Sequence, residues 1–156
     1  MELFLAEHLE DYDYPDVIEK ILRRNDLPGQ ITRDALLGKA KLLLKTQQWD
    51  QAEVIADRIL SIEENPNARW VKWVTTTARG DQIKAEAELK LTKGKMPAEA
   101  LRGFMILGWL YMDDTNRANQ LLKEFQREKL GLALVSRDLA EFVRDNMDES
   151  VIGEAE

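Results

Sequence analysis

The chain has 156 residues, 44% of them apolar and 33% charged, with a formal net charge of −7 and an isoelectric point near 4.9. That length suits one domain or one short repeat array able to bury roughly 70% of its unfolded surface, and the acidity argues against a general nucleic-acid binder. No cysteine is present, which excludes a disulfide framework, thiol chemistry and a thiolate metal site.

The opening Met1-Glu2-Leu3-Phe4-Leu5-Ala6-Glu7 lacks the basic start and long apolar run of a secretory signal, and nothing reaches the roughly 18 apolar residues that span a bilayer. A cytoplasmic protein with no membrane partner is the expectation. Residues 2–11 can form a short helix through Leu3, Phe4, Leu5 and Leu9. Asp13-Tyr14-Pro15-Asp16 then reads as a helix start, with a capping aspartate, a first-turn proline and an acid at the positive end of the dipole. That helix runs to about Asn25 on a Val17, Ile18, Ile21, Leu22 stripe, and Leu27-Pro28-Gly29 stops it.

Thr32 is the expected cap of a helix from about Arg33 to Thr46, in which Leu36, Leu37, Ala40, Leu43 and Leu44 recur at helical spacing. Gln47-Gln48 breaks it, and a partner helix follows from Trp49 to about Ile62. After Glu64-Asn65-Pro66-Asn67 the pattern repeats, with helices from Ala68 to Arg79 and Asp81 to Leu91. Thr75-Thr76-Thr77 is a β-branched run that lowers helix propensity, so packing must offset its cost. After Lys93-Gly94-Lys95-Met96-Pro97 come helices from Ala98 to Met112 and Thr115 to about Lys129. A last helix, from about Leu132 to Asn146, sets Val135, Leu139, Phe142 and Val143 against Arg137, Glu141, Arg144 and Asp145. The acidic tail 148–156 has little to bury.

A period runs through this order. Leu36, Trp70 and Phe104 are 34 residues apart, whereas Ala52, Ala85 and Ala118 recur every 33 residues after polar breaks. The shrinking distance from anchor to alanine implies a turn that loses a residue in each copy. A fixed period of this size marks a helical repeat. The spacing Phe104, Leu107, Gly108, Tyr111 resembles the first-helix signature of tetratricopeptide repeats, and Lys45 to Ala52 resembles the turn and second-helix start of that unit. Trp70, Trp73, Gly80-Asp81 and Ala85 make the middle copy. Lys39 and Thr77 depart from the pattern, and the third turn reads as two residues short.

The resemblance implies an all-α, right-handed solenoid of antiparallel hairpins over one domain, 1–147. Its repeats lie near 33–66, 67–97 and 98–129, with extra N-terminal helices and a capping helix at 132–147. It also implies that the first helices line a concave groove that binds a peptide or helix. Small bacterial secretion chaperones and regulators use arrays of this size. The groove residues are then Leu37, Lys41, Lys45, Val71, Thr75, Arg79, Arg102, Met105, Trp109 and Met112. Trp70 and Trp73 read as core. In the family's carboxylate-gripping receptors a Lys and an Asn lie four apart; Leu37 and Lys41 stand there, so that clamp is not expected.

Four basic residues against one acid from Arg33 to Gln48, and three against none from Asn67 to Arg79, make the first helices locally positive. Lys41, Lys45, Arg79 and Arg102 could therefore guide an acidic peptide, and reversing Lys41 and Arg79 to Glu should weaken the binding of an acidic partner without unfolding the chain. The alternative is a nucleic-acid-associated repeat in which Lys39, Lys41, Lys45, Arg69, Lys72 and Arg79 meet phosphates. No enzyme is expected: His8 is the single histidine, no phosphate loop is present, and the acidic clusters lack calcium-loop spacing. No cofactor or metal is expected either. A homodimer through residues 3–9 and Val17 to Leu22 is the expected assembly unless the first segment folds back.

Overall fold

The computed structural model describes residues 15–24, 26, 28–127 and 132–146. Every regular element among them is an α-helix: α1 Pro15–Leu22, α2 Gly29–Lys45, α3 Trp49–Ile62, α4 Pro66–Ala78, α5 Gln82–Lys93, α6 Ala98–Tyr111, α7 Thr115–Arg127 and α8 Arg137–Asn146. The expected helix at 2–11 and the Asp13 cap lie outside the described residues. The chain gathers into two compact units that divide between Thr92 and Lys93, one holding α1 to α5 and the other α6 to α8.

Three turns repeat one hydrogen-bond pattern. After α2, Gln47 N–H donates to the Leu44 carbonyl and Gln48 N–H to Leu43. After α4, Gly80 donates to Thr77 and Asp81 to Thr76. After α6, Asp113 donates to Leu110 and Asp114 to Trp109. Gln47, Gly80 and Asp113 have φ of 59°, 82° and 58°, the left-handed residue that such a helix ending requires. These turn residues are 33 apart and the three turns are equally long, so the expectation of a shortening turn is overturned. The drift lies in the first helices instead: Leu36, Trp70 and Phe104 approach their turns by one residue per copy. Counted back from the left-handed residue, Leu37, Trp70 and Gly103 stand at matching distances.

Ala52, Ala85 and Ala118 follow each turn at a constant distance, and each donates its N–H to the carbonyl of the residue just before its own helix, Gln48, Asp81 and Asp114. Ala52 and Ala118 are fully enclosed and Ala85 nearly so. A methyl group there lets two backbones approach closely where a larger side chain would overpack. The polar breaks double as caps: Asp81 Oδ1 accepts from Lys84 N–H at 3.2 Å and Asp114 Oδ1 from Arg117 N–H at 3.0 Å.

In the first unit, α2 packs against α1, α3 and α4, and α3 packs against α4. Ile18 and Ile21 of α1 are enclosed with Ile31 and Ala35 of α2, while residues 3–9 of the expected dimer face lie outside the described residues. The helix ends at Leu22, short of Asn25. Helix α2 starts at Gly29, so Thr32 is internal: the extended Pro28 places its carbonyl to accept from Ile31 and Thr32 N–H. Helix α4 starts at Pro66, two residues before the expected Ala68. Asn65 accepts from Asn67 and Ala68 N–H, and proline suits the first helical position. Within the threonine run, Thr75 and Thr76 hydroxyls donate back to the Lys72 carbonyl at 3.0 and 2.6 Å, while Thr77 Oγ1 is buried without a hydrogen-bond partner.

The second unit packs α6 against α7 and α8. Residues 132–135 are not helical, contrary to the expectation, because they cross α6 at Gly103: a Cβ there would lie 2.3 Å from the Ala133 carbonyl oxygen. Ala133 N–H donates to the Glu99 carbonyl at 3.4 Å, and Ser136 Oγ accepts from Leu139 N–H to start α8. Leu139 and Val143 are buried while Arg137, Glu141, Arg144 and Asp145 are exposed, as the amphipathic pattern requires.

Candidate functional site

The expected groove residues fall into two groups, each set by its own unit. In the first unit, Val71 and Thr75 are fully enclosed, and Leu37 and Lys41 are 9% and 5% exposed. Lys41 is therefore not the exposed charge the sequence suggested. Its ammonium stands 5.9 Å from the centre of the Trp70 ring, within reach of a cation–π attraction that strengthens as water is excluded. Lys45 is exposed. It borders an open depression of about 650 Å³ lined also by Ile18, Lys39, Leu42 and Leu43.

Helix α4 and its C-cap residue Arg79 carry three cations and no acid, and their neighbours neutralise them. Asp50, Glu53 and Asp57 recur along one face of α3 and meet α4 running the opposite way. Arg79 pairs with Glu53 and with Asp50 at 2.6 Å, and Lys72 with Asp57 at 2.9 Å. Thr75 Oγ1 also donates to Glu53 at 3.3 Å. From the other side, Glu88 of α5 takes Arg69 at 3.2 Å and Lys72 at 3.6 Å, and Glu64 takes Arg69 at 2.8 Å.

Burial alone would disfavour the Lys72 ammonium, but its hydrogen bond to Asp57 and the charges of Asp57, Glu88 and Glu53 outweigh that and raise its pKa above the ordinary lysine value. The same opposition, with Glu53 and Asp50 as partners, raises Arg79. Arg69 is raised chiefly by its hydrogen bond to Glu64. The locally positive first helices are thus largely a charge-matching device between helices. The acids at Asp50, Glu53 and Asp57, spaced to share one helix face opposite Lys72 and Arg79, were the signal in the sequence for this arrangement.

The second unit presents a different surface. Arg102, Met105, Trp109 and Met112 recur at i, i+3, i+7 and i+10, which places them on one face of α6, and all four are partly exposed. The Arg102 guanidinium lies 5.5 Å from the Phe125 ring and that of Arg117 lies 4.6 Å from Trp109. Two methionines and a tryptophan give an adaptable, polarizable strip, and the stacked guanidiniums keep charge beside it. Sequence reasoning grouped these four residues; it did not single out Arg117, Phe125 and Gly103, whose placement depends on α7 and on residues 132–135.

Among the described residues no helix is long and apolar enough to cross a membrane, and no group of three His, Asp or Glu side chains is placed to hold a metal ion. The described residues define an all-α protein. No protein-family model, curated protein or solved structure matches the chain.

Proposed function

We propose that this chain is a non-enzymatic binding scaffold, a short helical-repeat array similar in plan to tetratricopeptide proteins, with a right-handed solenoid arrangement of its hairpins. Its partner is a protein segment, a helix or an extended peptide, held along first helices. The observation that carries this reading is the Arg102, Met105, Trp109, Met112 strip of α6, a partly exposed apolar row edged by arginine on a helix that also has a buried face. The three equal turns support the repeat, and the packing of α2 on α4 supports a row of first helices.

The nucleic-acid reading loses support from the ion pairs. Lys39 is held by Glu19, Arg69 by Glu64 and Glu88, Lys72 by Asp57 and Glu88, and Arg79 by Asp50 and Glu53, while Lys41 is buried. Phosphate contacts would have to displace those carboxylates. The scaffold reading is tested by recovering partners from the source cell on immobilised full-length chain and on Met105→Asp/Trp109→Ala. A protein retained by the first and absent from the second supports it. Equal recovery on both, with both chains folded by circular dichroism, moves the site off α6.

A further inference from the structure

The large apolar side chains exposed among the described residues of the first unit, Val54, Ile62, Ile83 and Leu91, all belong to the second helices α3 and α5. On α5, Ile83, Ala87 and Leu91 follow one another at four-residue steps and so form one stripe, away from the buried Ala85 and Thr92. Ile83 is 85% exposed and Leu91 42%. An isoleucine that open contributes almost nothing to the core that holds α5 in place.

Charge around the stripe differs from that on α4. Lys84 and Lys90 project on either side of it, both exposed, and neither is ion-paired among the described residues. The cations of α4 and its C-cap Arg79 are all held by carboxylates. The one exposed acid near the stripe is Glu86. Two unpaired lysines flanking two turns of apolar surface fit an occupant with an apolar face and acidic flanks. A rod-like stripe on a helix is best matched by another helix, whose ridges fill its grooves. A second copy of this helix fits poorly. Pairing two α5 helices antiparallel about Ala87 sets Lys84 beside Lys90 of the other copy, like against like.

We propose that the outer face of α5, along Ile83, Ala87 and Leu91 between Lys84 and Lys90, is a docking surface for an acidic amphipathic helix of a partner protein. The inference rests on the scaffold reading but uses a helix face separate from α6.

The test is fluorescence anisotropy with a labelled synthetic helical peptide bearing leucines at i, i+4 and i+7 flanked by glutamates, and with its twin in which lysines replace the glutamates. The full chain should bind the acidic peptide, more weakly as salt rises, and the basic twin at least about tenfold less tightly. Lys84→Glu/Lys90→Glu and Ile83→Ser/Leu91→Ser should each weaken the acidic peptide about tenfold or more. Both pairs change exposed side chains, so circular dichroism should show an unchanged fold. Binding unmoved by either pair, or equal binding of the basic twin, overturns the proposal. Binding lost in Trp109→Ala but kept in both α5 variants also overturns it, while sustaining the α6 site. A wild-type dimer in sedimentation that Ile83→Ser/Leu91→Ser dissociates would assign the face to a second copy and overturn it as well.

Discussion

Helices α4 and α6 end in the same turn, yet one position in their register holds Trp70 in α4 and Gly103 in α6. Trp70 is 1% exposed and packs in the first unit, while Gly103 has no side chain because the Ala133 carbonyl passes where one would stand. Both helices bury seven residues, but the cations Arg69, Lys72 and the C-cap Arg79 of α4 are all paired, whereas α6 keeps a row of partly exposed Met, Trp and Arg. Equal local geometry therefore does not give equal exposure. What differs is the neighbour: an acidic face of α3 on one side, a crossing backbone segment on the other.

The comparison breaks most sharply at Trp70. Trp70→Ala should cost about 3–5 kcal/mol through a cavity in the first unit, read as a lowered urea midpoint. Lys41→Glu comes next. It replaces an enclosed cation beside Trp70 by an anion, and about 3 kcal/mol of destabilisation is expected, whereas exposed Lys45→Glu should change stability by no more than about 0.5 kcal/mol. Equal, small effects for the two would return Lys41 to the surface.

Gly103→Ala should cost about 1–3 kcal/mol, because the backbone oxygen of Ala133 must shift to admit the methyl group. Gly29→Ala, which meets nothing within 4 Å, is its control. A smaller effect is expected at the charge ladder. Lys72→Met should lose about 1 kcal/mol near neutral pH. Since folding raises the Lys72 pKa, its contribution is complete below the unfolded lysine value near 10.5 and fades as pH rises through the higher folded value. Wild type and Lys72→Met should thus converge in stability in that alkaline window and stay apart below it. The smallest effect has the opposite sign: Gln47→Gly should stabilise by about 0.5–1 kcal/mol, since φ of 59° suits glycine as it does at Gly80.

The helices and their order were legible in the amino-acid sequence, because apolar residues at helical spacing and polar breaks act locally. Ala52, Ala85 and Ala118 were found the same way, and the α6 face of Arg102, Met105, Trp109 and Met112 needs only helical geometry to bring it together. The tertiary structure decided which of these faces stay open. Val71, Thr75 and Lys41 share the spacing of groove residues but are enclosed, and Arg79 has its charge taken up by α3, as partners far along the chain dictate. It also decided which residues stand at matching places before the three turns. Side-chain anchors can drift along a helix face at little cost, whereas a turn must satisfy the same backbone hydrogen bonds each time, so Gln47, Gly80 and Asp113 keep the period that Leu36, Trp70 and Phe104 lose.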